Sequence, residues 1–305
     1  MLHHLACESG ATAKSVRKPN LFIVGAPKCG TTAWYEYLRT HPEIFFPELK
    51  EPHYFATDLP GRRIVTSEKE YLALFEAAKL EHYIGDASVY YLYSELAAGL
   101  IHQFNPNARI LILLRDQADM LPSLHHHHLY SFEEGLLDFE TAWRLTGKRP
   151  ADTIPSTCPE VRILDYLSVG KFHSQVSRYF DIFPSNQILV MQYDKWIECP
   201  RSAYLRILSF LGLEDDGREI FDPVNEAKGH RFETLGKFMQ HPPKAVARAA
   251  SFVKRLLGIS TFGLARANQR PGYRSKVSPA LQAEIRRRFQ SDNAALGDLL
   301  RQYGK

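Results

Sequence analysis

The stretch from Asn20 to Leu38, NLFIVGAPKCGTTAWYEYL, limits what this chain can fold into more than any other. Leu21-Phe22-Ile23-Val24 is a short, continuous apolar run, the pattern of a strand buried on both faces. Gly25 to Gly30 is a turn bounded by glycines, and Thr31-Thr32 opens a run with Trp34, Tyr35 and Leu38 on one side. A strand feeding a glycine loop and a helix start turns unpaired N–H groups and the positive end of a helix dipole toward the loop. That arrangement suits a phosphate-sized anion. Lys28 adds a full positive charge, and Thr31 and Thr32 add hydroxyl donors.

The loop is close to a Walker A sequence and departs from it at one point. Gly25-x4-Gly30 is followed by Thr31-Thr32, where that motif has Lys-Ser/Thr. The lysine here stands two positions before the second glycine, so it reaches a bound group from the loop rather than from the helix start.

A chain of 305 residues, 45% hydrophobic and 24% charged, has ample material for a core. The order of its motifs predicts a mobile tail over 1–18 and a single domain over 19–305. The net charge of +4 suits an anionic small ligand and not a nucleic-acid duplex, which calls for a denser basic stripe. Cys7, Cys29, Cys158 and Cys199 show neither CxxC nor Cys/His metal spacing, so no zinc site or disulfide framework is expected and the compartment is read as reducing. No run approaches the ~20 apolar residues of a membrane span, and the first 18 residues lack a secretory apolar region. Oligomeric state is left open.

Along the chain, Glu51 and His53 in the polar-aromatic segment Lys50–Phe55 are the two groups able to take a proton at neutral pH. A helix is predicted over 67–81, with Ser67 and Glu70 as a capping box, and a second buried strand over 82–86. A helix over 94–104 precedes the most strand-like run, Ala108–Leu114, which ends in Arg115-Asp116; Ser123 follows on the next helix. An Arg at the end of a parallel strand and a Ser eight residues later both belong to the crevice where doubly wound sheets bind ligands. His125–His128 is read as a solvated or acceptor-facing helix end rather than a metal site, since no carboxylate or Cys lies at ligand spacing. Further helices are predicted over 131–145, 164–183, 203–211 and 279–300, a strand over 187–192, and a lid-length loop over 146–159. Residues 244–257 form a basic amphipathic stretch, read as a cover packed on the body, with peripheral membrane contact as the other reading.

Pro27-Lys28-Cys29-Gly30-Thr31-Thr32 after an apolar strand resembles the 5′-phosphosulfate loop of sulfotransferases that use 3′-phosphoadenosine 5′-phosphosulfate (PAPS). Glu51-Pro52-His53-Tyr54-Phe55 is similar to the Glu-x-His-Phe-Phe segment of the heparan sulfate branch and its bacterial relatives, and Arg115 with Ser123 is similar to the family's 3′-phosphate site. Asp86-Ala87-Ser88 stands where that branch has Glu-Lys-Thr, and Ala87 removes a lysine used near an acidic sugar. The resemblance implies an α/β fold with a central parallel sheet and helices on both faces. It implies PAPS as donor and adenosine 3′,5′-bisphosphate (PAP) as product, with no metal. Lys28, Glu51 and His53 are the implied catalytic groups, and Pro27 to Thr32, Arg115 and Ser123 the implied donor contacts, joined by Arg270 and Arg274 from the segment before the last helix. The acceptor is a hydroxyl, rather than an amine, of a carbohydrate, glycolipid or small molecule. Many animal relatives are Golgi-anchored; without such an anchor this chain is expected to be a cytoplasmic, bacterial enzyme. Two other classes remain at this point: a P-loop kinase or NTPase using Asp116 as its acid, and a nucleotide-binding module without catalysis.

Overall fold

The computed structural model describes residues 17–224, 228–230, 269–271 and 277–303. Five parallel strands make the central sheet: β1 (Leu21–Gly25), β2 (Ile44–Phe45), β3 (Tyr83–Ala87), β4 (Arg109–Leu114) and β5 (Ile188–Gln192), in the order β2-β3-β1-β4-β5. β1 pairs β3 through Leu21↔Gly85 to Ile23↔Ala87 and pairs β4 through Leu21↔Arg109 to Gly25↔Ile112. The chain therefore builds one side of β1 first and then crosses to the other. That reversal leaves a crevice at the strands' C-terminal ends. The continuous apolar runs explain the layering: all of β1 and Ile110 to Leu114 of β4 are buried, so both faces of the central strands are covered.

The helices are α1 (Thr31–Leu38), α2 (Glu68–Ala73), α3 (Ala97–Phe104), α4 (Gln117–Tyr130), α5 (Phe139–Arg144), α6 (Tyr166–Gly170), α7 (Phe172–Ile182), α8 (Tyr193–Glu198), α9 (Pro200–Leu211), α10 (Pro279–Arg288) and α11 (Gln290–Gln302). A short antiparallel pair, β6 (Lys228–His230) and β7 (Gln269–Pro271), sets Gly229 opposite Arg270.

Several predicted elements are shorter or broken. The helix expected over 67–81 ends at Ala73, and its Ser67 cap does accept from Glu70 N–H at 3.3 Å. Only Phe139–Arg144 of the 131–145 stretch is helical, started by Asp138 accepting from Thr141 N–H at 2.8 Å. The 164–183 stretch breaks between α6 and α7 at Lys171, whose ψ of 83° leaves the helical region; the preceding Gly170 lies under Phe289, where a Cβ would come within 2.5 Å of the ring. The closing helix likewise breaks at Phe289, which is buried. The 146–159 segment, expected to be a lid-length loop, contains a short turn at Ala151–Thr153 and touches the body at two points: Arg149 pairs with buried Glu134, and Thr157 Oγ1 donates to Phe132 O. Arg17 and Lys18, assigned to the tail, also have partners: Arg17 donates to Lys79 O at 3.2 Å, and Lys18 lies 4.5 Å from the Phe104 ring centre. Residues 1–16, the 244–257 stretch and Arg274 lie outside the described residues, as does the side chain of Arg270. No helix among the described residues is long and apolar enough to cross a membrane.

Candidate active site

The glycine loop is pinned on the sheet before it opens. Ala26 N–H donates to Leu113 O at 2.6 Å, and Cys29 N–H closes the turn onto Ala26 O at 3.3 Å. Gly30 caps α1 with φ +89°, and a Cβ there would lie 2.2 Å from Trp196 Cζ2. Only glycine satisfies both the dihedral and the close approach. The first intrahelical bond runs from Trp34 N–H to Gly30 O at 3.2 Å, so the amides of Thr31, Thr32 and Ala33 have no acceptor within the helix. Lys28 stands in the left-handed region, φ +61°.

A cavity of about 490 Å³ opens over this loop at the C-terminal ends of the strands. Pro27, Lys28, Gly30, Thr31 and Thr32 come from the loop and α1, Arg115 follows β4, Ser123 lies on α4, and Glu51 arrives from the segment after β2. Five of the six predicted groups of the loop and helix start, all but Cys29, thus share one cavity with the Arg–Ser pair and the carboxylate. Cys29 is fully buried beneath the loop, Sγ donating to Pro27 O at 3.4 Å, and burial pushes its thiol well up from the ordinary value. His53 also lies behind the cavity wall. It is 1% exposed, and its Nε2 accepts from Tyr90 N–H at 3.4 Å.

Glu51 faces the opening with its side chain 29% exposed. Burial pushes its carboxyl up, but Lys50, His53 and Arg62 outweigh that and hold it at about 2. Lys50 is its direct partner, donating to Oε1. Burial lowers His53 to about 4 against the pull of Glu51, with Arg62 and Lys50 adding to the depression, so its imidazole is neutral at pH 7. The site therefore holds an ionised carboxylate able to accept a proton and a neutral histidine at its back.

Arg115 lies 4.4 Å from the Tyr193 ring centre, and its Nε is buried without a hydrogen-bond partner among the described residues; so is Trp196 Nε1. Unpaired buried donors beside a cationic loop fit an acceptor-rich ligand. Asp116 does not line this cavity. It caps α4 through Ala118 N–H at 2.7 Å and pairs with Arg286 at 2.9 Å, so it is not placed as a nucleotide-site acid and does not neutralise Arg115.

Sequence reasoning missed several walls of the cavity: Arg62, Tyr90, Tyr130, Tyr193 and Trp196. Only the position of Tyr193 and Trp196, just past a predicted buried strand, signalled them. The histidine run divides along α4. His126 and His127 line the cavity, whereas His125 and His128 are buried, His125 Nε2 lying 2.8 Å from Leu136 O and His128 Nε2 3.0 Å from Tyr90 OH. The solvated reading of the run is thereby corrected for His125 and His128: positions three apart share the inward face of a helix. No cluster of metal-ligating side chains occurs among the described residues.

A doubly wound sheet with an anion loop, an arginine and a carboxylate around one crevice defines a group-transfer or nucleotide-binding protein. Comparison narrows the class: the family described as "Sulfotransferase domain" matches residues 18–227, and the chain belongs to it. Human carbohydrate sulfotransferase 15 is 25% identical over 269 residues, covering 69% of this chain and 46% of that protein. Human heparan sulfate glucosamine 3-O-sulfotransferase 6 is 24% identical over 250 residues, covering 79% of this chain and 68% of that protein. The chain thus spans about half the length of the carbohydrate sulfotransferase 15 proteins it matches. The crystal structure of a sulfotransferase from Alicyclobacillus acidocaldarius shares the fold, with a TM-score of 0.67, 24% identity, and coverage of 95% of this chain and 100% of that one. Membership in a sulfotransferase family leaves the kinase reading without support.

Proposed function

We propose that this chain transfers the sulfuryl group of PAPS to a hydroxyl of a carbohydrate, glycolipid or small-molecule acceptor. The observation that carries the reading is the meeting of Lys28, Glu51 and the Arg115–Ser123 pair around one cavity above the strand ends. PAPS, when bound, supplies an activated sulfuryl group with a phosphate leaving group.

The chain's own groups divide the work by charge. Arg115 and Ser123 offer a guanidinium fork and a hydroxyl to the 3′-phosphate. Lys28 and the amides at the start of α1 stabilise the negative charge that develops on the leaving phosphate oxygen as the S–O bond breaks. Glu51 takes the proton of the acceptor hydroxyl as its oxygen bonds to sulfur. His53, neutral and buried behind the cavity wall, packs beside Glu51 and does not meet the acceptor. Charge stabilisation by a lysine and amides gives the chemistry what it needs without a metal.

The test is transfer of label from [³⁵S]PAPS across sugars, glycolipids, phenols and other alcohols. Labelled product in at least one acceptor class, absent with Lys28→Met, is expected. PAP binding with no labelled product in any class would return the chain to the non-catalytic reading.

A further inference from the structure

Beneath the Glu51 segment lies a carboxylate that the proposed chemistry does not use. Asp86, the fourth residue of β3, is 0% exposed and accepts three hydroxyl donors: Ser88 Oγ at 2.7 Å on Oδ1, and Tyr91 OH and Tyr71 OH, both at 2.8 Å, on Oδ2. Two of these hydroxyls do something more. Ser88 Oγ accepts from His53 N–H at 3.2 Å, and Tyr91 OH accepts from Phe55 N–H at 3.4 Å. We propose that Asp86 is a positioning residue for the Glu51 segment, fixing the Ser88 and Tyr91 hydroxyl protons so that both oxygens present lone pairs to the backbone of residues 53 and 55.

The argument starts from what that backbone requires. Glu51 and His53 sit at φ +63° and +50°, a region that side chains other than glycine rarely occupy, with Pro52 between them. Such a path persists only where its surroundings over-determine it. Three amides supply the hold from the β3 side: Glu51 N–H to Ala87 O at 3.1 Å, and the two bonds to Ser88 and Tyr91. The first uses a carbonyl whose direction the strand fixes. The other two use hydroxyls, which rotate, and each has a single proton to place.

An ionised carboxylate only accepts, so a hydroxyl beside it must aim its proton at it. Asp86 is sealed from water, and as an anion it is a stronger acceptor for the Ser88 and Tyr91 protons than either of these neighbouring hydroxyls is for the other. Their oxygens are left as acceptors facing the segment. Burial pushes Asp86 up to about 6, with the three hydroxyls opposing it, so the carboxylate form holds at neutral pH. Tyr71 provides the internal control: its hydroxyl also bonds Asp86, but no bond runs from it to the segment's backbone.

For activity the inference rests on Glu51 as base; for geometry it does not. Amide hydrogen exchange in the full chain, with neither donor nor acceptor present, reads the geometry directly. Ser88→Ala is expected to speed exchange at His53 by at least about tenfold and to leave Phe55 protected; Tyr91→Phe should do the reverse, and Asp86→Asn should expose both. Tyr71→Phe should change neither, and PAP affinity should stay within about twofold in all four. In the transfer reaction Ser88→Ala should lower kcat by about tenfold or more with PAP affinity unchanged, since a small misplacement of a reacting group is costly. Unchanged exchange at His53 in Ser88→Ala, or an equal loss of protection in Tyr71→Phe, overturns the proposal. Ser88→Ala carries the test alone should Asp86→Asn not fold. Full turnover by Glu51→Gln would remove the base assignment and leave the exchange result standing.

Discussion

Lys50 donates to one oxygen of Glu51, and His53 Nε2 lies 3.9 Å from the other. Since that same nitrogen accepts from Tyr90 N–H, neutral His53 carries its proton on Nδ1 and does not compete for the carboxylate. Glu51 is thus ionised by Lys50 and left with accepting capacity toward the cavity. On the proposed chemistry, this pairing favours Glu51 over His53 as the group that meets an acceptor.

Glu51→Gln keeps shape and hydrogen bonding and removes basicity, so kcat should fall by roughly 10²–10⁴. The Kd of PAP should hardly move. His53→Asn should cost less, because the imidazole stands behind the wall. Steady-state kinetics beside calorimetric PAP titration separates these effects; a Glu51→Gln enzyme near full turnover next to a dead His53→Asn enzyme would reverse the two roles.

Arg115 and Ser123 line one cavity; on the proposed assignment of this pair to the 3′-phosphate, a ligand carrying that group should gain contacts there that AMP and ADP lack. PAP should raise Tm more than either. Arg115→Met should weaken PAP by roughly ten- to a hundredfold, the worth of a charge-assisted hydrogen bond, and bring the three ligands level. Equal shifts from AMP and PAP in the wild-type chain would remove the 3′-phosphate site.

Gly30 carries a sharper expectation. Its φ of +89° and the Trp196 ring leave no room for a methyl group. Gly30→Ala should lower stability by about 1–3 kcal/mol through backbone strain. It should also abolish PAP binding, because the clash displaces either the anion loop or the aromatic wall built from Trp196, Trp34 and Tyr193. Thermal denaturation with PAP titration checks both; wild-type affinity in the variant would show that the loop tolerates the shift.

What could be read in the sequence was what is local. The β1–loop–α1 unit and the β4–Arg115–Ser123 unit each place their side chains within a dozen residues of a strand end, so spacing alone brings them to the crevice. Arg62 could not be read this way. It reaches the cavity because a short turn over 60–62 lies beside Tyr90 and Glu133, a contact made by tertiary packing, Nη1 donating to Glu133 Oε1 at 2.6 Å. The helix misjudgements have the same origin. Periodicity runs on through Gly170 and Phe289, where α6 and α10 end, and these two positions, distant in sequence, pack against each other. The histidine run looked polar in sequence, yet a helix turns His125 and His128 inward whatever the local composition.

Acid should destabilise the fold before it touches Glu51. Burial lowers His53 to about 4 and His127 to about 3, and it lowers His125 and pushes His128 well down. Their neighbours are mixed: Glu51, Lys50 and Arg62 face His53, with Lys28 added at His127, while Arg62, Lys28 and the adjacent histidines face His128, and Glu134, Arg149 and Asp138 face His125. Unfolded, each takes up a proton near 6.5. Between that value and the depressed folded values the unfolded state binds more protons, so stability falls as pH falls. Asp86 acts in the opposite sense: raised to about 6, it favours the folded state as pH drops from 6 toward 4. Four histidines outweigh one aspartate, and the first loss begins above the window in which Asp86 helps. Glu51, held at about 2, adds its own loss only below the ordinary carboxylate value of 4.5. Tm should therefore drop by roughly 5 °C or more between pH 7 and pH 5, with net proton uptake on unfolding at pH 5. Replacing buried His128 by Gln, which keeps polarity and cannot ionise, should flatten that slope even where it lowers Tm at pH 7. Calorimetry across buffers of different ionisation enthalpy measures the uptake directly, and a Tm that rises from pH 7 to pH 5 would mean that Asp86 dominates.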